Sequence, residues 1–357
     1  MFYPEEVIFC PTNRCNLHCG HCTVTRWKDE LTAEQAVAFL EDIYSWRKEN
    51  PSSRKYSENV IEKASENPAD ETNVGETNVG ETNVGEEPFY VGFSGGEPCL
   101  DIDFICTVCE KAVNLDFYFD RITTNGQWWK TEAELEEKLG RIYEYGFDGK
   151  FGLSWDSFHG GDKVKLMTFA RNVCEIFGPS SLDILSVINP VSENNDADFF
   201  SAMEEMADDF GGELINELDE KTGKGQMHIT FDDGSYITIY RFPESYREYD
   251  SRAWKNSSWF TDDFCQSTGN VFYVHSNGLV APCCGFANES EKLFLGKVTE
   301  GAATLMKNAR NSKVVELCFC HGLEKFRKEL EQKGTVLPGV TDDLCTFCDY
   351  ICNRELI

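Results

Sequence analysis

Cysteine placement constrains this chain more than any other feature. Of 16 cysteines in 357 residues, three share one short loop (Cys15, Cys19 and Cys22) and eight lie beyond position 255. The N-terminal stretch MFYPEEVIFC lacks the basic segment and long apolar run of a secretory signal. The thiols are therefore expected in a reducing, cytoplasmic setting, where disulfide frameworks are rare and thiolates are available for metal. Seven of the eight late thiols fall between Cys283 and Cys352. That density predicts a small metal-organised region with little apolar core of its own.

Charge narrows the function classes. The chain carries 62 acidic and 33 basic residues, a formal charge of -29. So acidic a surface argues against a nucleic-acid partner and against docking on anionic lipid, both of which need basic patches. It suits a basic peptide or an amine. No run of ~18 apolar residues occurs, so no membrane span is expected.

The first half alternates short apolar runs with helical periodicity, the signature of an α/β fold built on parallel strands. Strands are expected at Glu6–Cys10, Phe89–Ser94, Phe117–Thr123, Lys150–Trp155, Leu182–Ile188 and Tyr236–Phe242. Helices are expected at Leu31–Trp46, with Thr32 and Gln35 spaced as a capping box, at 101–113 and at Glu132–Tyr145. Six such units would form a partial (β/α)6 TIM-like barrel, with chemistry at the carboxyl ends of the strands. Residues 51–87 interrupt the pattern: they are polar and repeat ETNVG three times over Glu71–Gly85. Asn and Gly at that density disfavour both helix and strand, so a flexible surface insertion is expected. The expected division is a discontinuous barrel over 1–50 and 88–254, the insertion over 51–87, and a cysteine-rich α+β domain over 255–357.

Directly after the first strand comes Cys15-Asn16-Leu17-His18-Cys19-Gly20-His21-Cys22, a C-x3-C-x2-C triplet. Three thiolates from one loop can hold a [4Fe–4S] cluster and leave one iron open to a small ligand. A zinc loop closed by His18 or His21 is the competing arrangement, because structural zinc wants four ligands. After the second strand the chain reads Gly95-Gly96-Glu97-Pro98. Glycines permit close backbone approach, a carboxylate can receive a cationic amine, and proline stops the strand.

With both motifs in place, the sequence resembles the radical S-adenosylmethionine (SAM) superfamily. That resemblance implies a partial barrel whose Cys15, Cys19 and Cys22 hold a [4Fe–4S] cluster chelated by SAM, with Gly95, Gly96 and Glu97 at the SAM site. His21 departs from the aromatic residue the family commonly places before the third cysteine. The resemblance further implies SAM-facing polar groups at the end of strand four, here Ser154 and Asp156, and a turn after strand three, here Thr124-Asn125-Gly126. Arg241 on strand six is a candidate for the SAM carboxylate or for an ordinary surface ion pair. His159 is expected to be solvated or capping, and no catalytic acid or base is assigned.

Cys265 and Cys283 fit C-x12-G-x4-C around Gly278, and VFYVH and LVAP flanking Ser276-Asn277-Gly278 read as a hairpin that brings the two thiols together. Cys345-x2-Cys348-x3-Cys352 closes the chain. Two pairs make a four-thiolate site, for zinc or for an iron–sulfur cluster. The arrangement resembles the SPASM or shortened twitch extension of radical SAM enzymes. It implies one auxiliary [4Fe–4S] cluster on Cys265, Cys283, Cys345 and Cys348, with Cys352 able to replace one of these. Full SPASM spacing is not met, because this chain offers Cys318-x-Cys320 instead; Cys318, Cys320 and Cys284 are candidates for a second cluster. Cys10, Cys99, Cys106, Cys109 and Cys174 read as small buried hydrophobes.

The resemblance implies reductive cleavage of SAM to a 5'-deoxyadenosyl radical that abstracts hydrogen from substrate, with electrons from a donor such as flavodoxin or ferredoxin. A peptide or protein side chain is the expected substrate, to be cross-linked or oxidised. A small-molecule dehydrogenase in a biosynthetic pathway is the first alternative, and a non-catalytic iron–sulfur or zinc protein the second. Five residues precede the first strand, so no N-terminal peptide-recognition domain is expected.

Overall fold

The computed structural model describes residues 2–25, 28–51, 87–188, 195–218, 225–265, 269–354 and 356–357. The ETNVG repeat lies outside the described residues. In chain order the elements are β1 (Glu6–Phe9), α1 (Ala33–Glu49), β2 (Tyr90–Phe93), α2 (Ile102–Asn114), β3 (Tyr118–Thr124) and α3 (Glu132–Glu144). There follow β4 (Lys150–Ser154), α4 (Lys163–Phe177), β5 (Leu182–Ile188), α5 (Asn195–Phe210), β6 (Glu213–Asn216), β7 (Met227–Thr230) and β8 (Tyr236–Pro243). The chain continues with β9 (Gly269–Val274), β10 (Leu279–Cys283), β11 (Gly296–Lys297), α6 (Ala302–Asn311), α7 (Lys313–Glu316), α8 (Leu323–Gln332) and α9 (Leu344–Asn353). The protein is thus mixed α/β, and its chain divides into two compact units, 1–46 with 89–120 and 244–357, and 47–88 with 121–243.

In the first unit, β1 runs parallel to β2 on one side and parallel to β9 on the other. The strand from the cysteine-rich third is therefore built into the sheet beside the N-terminal strand. The hairpin expected around Ser276-Asn277-Gly278 forms, with β10 antiparallel to β9 and β11 beyond it. Its turn closes through Gly278 N–H donating to His275 O at 2.8 Å. Composition alone had suggested a region with little core, yet β9 carries Phe272 and Val274, both fully buried. An apolar run with both faces covered is what a central parallel strand requires. One face of β1, with Val7 and Phe9, packs among Phe39 of α1 and Phe272, whose rings lie 5.5 Å apart. Burying each such ring contributes ~1.5–3 kcal/mol. The opposite face sets Ile8 and Cys10 against Val271, Tyr273 and Ala281.

Helix α1 starts through the expected capping box: Gln35 N–H donates to Thr32 Oγ1 at 3.3 Å, and Thr32 N–H to Gln35 Oε1 at 3.1 Å. Its buried residues Ala36, Phe39, Leu40 and Ile43 are the predicted face.

In the second unit, β3 from Arg121 onward, β4, β5 and β8 run parallel in that order. The antiparallel strands β7 and β6 then extend the sheet. These two were not expected from the sequence; four residues each, between polar segments, give too short an alternation to register. Asp183 of β5 is fully buried and held by Arg121 of β3 at 2.7 Å and Lys150 of the adjacent β4 at 3.2 Å, so its charge is paired by two cations.

Candidate metal centre

The triplet loop leaves the carboxyl end of β1, as the parallel arrangement demands. Its entrance is locked to the Gly95-Gly96-Glu97-Pro98 segment that leaves β2. Gly96 N–H donates to Thr12 O at 3.1 Å and Glu97 N–H to Arg14 O at 2.8 Å. The glycines serve backbone-to-backbone contact. A Cβ on Gly96 would lie 2.3 Å from Arg14 O and 2.6 Å from Asn13 C; Gly95 has φ +118° and would press on Cys10 Cβ at 3.0 Å. Glu97 is fully buried and caps the short Pro98–Leu100 turn, its Oε1 accepting from Cys99 N–H at 3.0 Å.

The loop is closed at its far end. Asn13 Nδ2 donates to Thr25 O at 2.8 Å, and Cys22 N–H donates to Cys19 O at 3.2 Å, turning the chain between the last two thiols. Cys15 and Cys19 are half-buried and Cys22 is exposed. Among the described residues, no three Cys or His ligand atoms of this loop lie within 4.8 Å of one another. The edge of a tetrahedral thiolate–zinc site is about 3.8 Å, from the Zn–S length of ~2.3 Å.

The second thiol group lies in the same unit. Cys265, Cys283, Cys318, Cys345 and Cys348 line one pocket whose remaining walls are Pro282, Ala287, Leu293, Phe319, Leu323 and Leu344. The sequence had brought four of these together; Cys318 is the addition. The Cys318 carbonyl accepts from Cys265 N–H at 3.0 Å, and its Sγ is 3.9 Å from Cys348 Sγ. Cys352 is buried but does not line the pocket, while Cys284 and Cys320 are exposed. Of the three proposed for a second cluster, Cys318 lines this pocket and Cys284 and Cys320 do not.

Burial first, and then the neighbouring Cys265 and Cys345 thiols, push the Cys283 thiol well above its usual value. Hydrogen bonding to Cys318 does the same for Cys348. Thiols gathered in an apolar pocket hold their protons unless a metal replaces them. An all-sulfur donor set with dry walls fits an iron–sulfur cluster.

An ion-pair relay in this unit joins the two thiol groups. The Arg247 guanidinium donates to Thr23 O (3.1 Å), to Glu289 (2.9 Å) and to Asp349 (3.4 Å). Thr23 follows Cys22 directly, and Asp349 sits between Cys348 and Cys352 on α9. Glu289 also accepts from the backbone and hydroxyl of Thr25. No sequence signal marked Arg247 or Glu289. The Cys10 thiol donates to Tyr273 O–H at 2.9 Å and is pushed up to about 12 by burial, in keeping with its expected core role.

In the second unit, Ser154 is buried at the end of β4. Asp156 organises the following loop. Its Oδ1 accepts from the His159 ring (2.8 Å) and from Phe158 and His159 N–H (2.9 Å each), and its Oδ2 from Val187 N–H (3.0 Å). His159 thus has a defined carboxylate partner, where a solvated or capping imidazole was expected. Thr124 and Asn125 bind their own turn, accepting from Gly126 N–H and Gln127 N–H. Arg241 lies over the rings of Phe199 and Phe200 of α5, at 4.4 and 5.3 Å, a cation–π setting that neither sequence alternative included.

Burial acts to raise the Asp156 pKa, but the hydrogen bonds from His159 and Val187 outweigh it and hold the carboxyl below its usual value. A carboxyl with a depressed folded-state pKa stabilises the fold above the unfolded value of ~3.9, and that contribution disappears as pH falls through the lower folded value. We expect Asp156→Asn to cost about 1.5–3 kcal/mol at pH 7, because one amide face meets N–H donors. The gap between variant and wild type should narrow below about pH 4, measured by denaturant melts at both pH values.

No protein-family model matches the chain, and no curated protein matches its sequence. Among solved structures, it is similar to Streptococcus suis SuiB bound to the precursor peptide SuiA. That match has 13% identity and a TM-score of 0.40, over 97% of this chain and 76% of that one. A superposition at that score establishes no common fold, and no residue role is taken from it. Among the described residues, no helix is long and apolar enough to cross a membrane.

Proposed function

We propose that the protein is a radical SAM enzyme acting on a basic peptide or protein side chain. The observation that carries the proposal is the lock between Gly96-Glu97 and Thr12–Arg14, immediately ahead of Cys15. It joins the two motifs of the resemblance, each after its own parallel strand, at one end of β1 and β2.

When bound, a cluster on Cys15, Cys19 and Cys22 together with SAM supplies reductive cleavage of a sulfonium and hydrogen abstraction from an unreactive C–H bond. The chain's own residues supply position and charge. The Thr12–Arg14 backbone and the two glycines hold the loop entrance rigid, so the three thiols start from a fixed point. The buried Glu97 places a carboxylate beside the loop, able to complement a cationic amine. The pocket of five thiols would hold an auxiliary cluster, its apolar wall excluding water. The charge of -29 raises the local concentration of cationic substrate and speeds encounter at low salt.

The test is anaerobic reconstitution. We expect about eight irons per chain, as two [4Fe–4S] clusters, and release of 5'-deoxyadenosine from SAM under reduction. Replacing Cys15, Cys19 and Cys22 together by Ala should abolish release and remove about half the iron. Undiminished release in that variant would refute the proposal. Tightly bound zinc in place of half the iron would refute the auxiliary cluster. Presented with matched peptides, reconstituted protein should turn over a lysine-rich one at low salt in preference to an acidic one; the reverse order would remove the basic-substrate reading.

A further inference from the structure

Five thiols line the auxiliary pocket, yet a [4Fe–4S] cluster takes four. We propose that Cys318 and Cys348 are alternative ligands for a single position of the auxiliary cluster, with Cys265, Cys283 and Cys345 holding the other three. The inference rests on the auxiliary-cluster reading above.

Spacing and the pocket lining together select the redundant pair. The Cys318 and Cys348 sulfurs are 3.9 Å apart. Among the described residues, no three thiols are within 4.8 Å of one another, so the pair is not part of a tighter group. Two thiols side by side on one wall compete for one iron, whereas ligands at separate corners must stand apart. The alternative that the sequence favoured as the spare ligand, Cys352, is hydrogen-bonded to the Cys348 thiol as well, but it lies outside the pocket lining, whereas Cys318 lies within it.

The backbone points the same way. Residues Leu317–His321 form a π-helical turn that continues α7 and ends at Gly322, which has φ +99°. Such wide turns insert a residue into a helix and re-aim its side chains, and they concentrate at functional sites. Here the turn buries Cys318 in the pocket while leaving Cys320 exposed. The Cys318 carbonyl accepts from Cys265 N–H at 3.0 Å, so Cys318 is fixed against another ligand of the set.

Exchange between the two is balanced without a redox partner. The incoming thiol loses its proton as its iron–sulfur bond forms, and the departing thiolate takes up a proton as its bond breaks. The proposal therefore gives the auxiliary site two ligation states and leaves one thiol free in each.

The test removes the first site so that only auxiliary iron remains. In full-length protein with Cys15, Cys19 and Cys22 changed to Ala, anaerobic reconstitution should give about four irons per chain. Adding Cys318→Ala or Cys348→Ala singly should keep that count, and the two singles should give different electron paramagnetic resonance spectra once reduced. Changing both should drop iron below about one per chain, as Cys265→Ala should alone, whereas Cys318→Ala with Cys352→Ala should keep four. Circular dichroism separates loss of iron from loss of fold. If the double variant unfolds, retention of four irons with distinct spectra in both singles still carries the proposal. Loss of iron in Cys348→Ala alone, with Cys318→Ala unchanged in count and spectrum, overturns it, as does loss in both singles. No iron in the parent background overturns the auxiliary cluster itself, and this inference with it.

Discussion

Gly96→Ala is expected to destabilise the first unit by about 2–6 kcal/mol and to empty the triplet site of iron. The added Cβ would stand 2.3 Å from Arg14 O and 2.6 Å from Asn13 C, and both obstacles are backbone. No rotamer change relieves such a contact, so the chain after β2 or the chain before Cys15 must move. Overpacking of this kind costs ~1–3 kcal/mol, and the hydrogen bonds from Gly96 and Glu97 to the loop contribute ~0.5–1.5 kcal/mol each. The displaced segment ends one residue before Cys15, whereas the five-thiol pocket is formed by other stretches of the chain. Iron analysis should therefore show loss of about half the metal, together with a lowered melting temperature. Gly140→Ala, in the middle of α3 with nothing within 4 Å of the new methyl, should instead stabilise by up to about 1 kcal/mol. Wild-type iron content in Gly96→Ala would show that the lock is not what positions the loop.

Arg247→Ala should have an effect of similar size, about 3–5 kcal/mol, with both thiol groups disturbed. Asp349 is 3% and Glu289 11% exposed at the side chain, and the guanidinium sits between them. Removing it leaves two largely buried carboxylates without their cation, which is far more costly than losing an exposed pair. Among the described residues, Asp349 retains only neutral donors, Glu248 N–H at 3.1 Å and Asn353 Nδ2 at 3.2 Å. Lys at 247 would restore charge without the planar fork that reaches Thr23 O, Glu289 and Asp349 at once, so rescue should be partial. The expected readouts are a lower melting temperature and faster iron loss to a chelator from both sites. Iron loss from one site alone would show that Arg247 does not join them.

Much of this was legible locally. The Thr32–Gln35 capping box, the apolar face of α1, the Gly278 turn and most strands depend on residues within a few positions of one another. The two motifs of the first site were readable because each directly follows a strand with a clear apolar pattern. Short β6 and β7, and helices α4 and α5, gave weaker signals and were not anticipated. Arg241 was read as ligand-facing or ion-paired, but strand alternation cannot say which side of a sheet a helix will cover, and α5 brings Phe199 and Phe200 beneath it.

The cysteine count that constrained the chain at the outset thus determined by itself that thiols would gather, and the hairpin spacing determined that Cys265 and Cys283 could meet. Only the tertiary structure decided that β9 would lie parallel to β1, that Cys318 rather than Cys352 would line the pocket, and that Arg247 would reach Thr23 and Asp349. These contacts join residues more than 20 positions apart, and some more than 200, as Thr23 and Arg247 do with a separation of 224. Local propensity carries no information about such partners, because their pairing is fixed by how whole faces of sheet and helix are buried together.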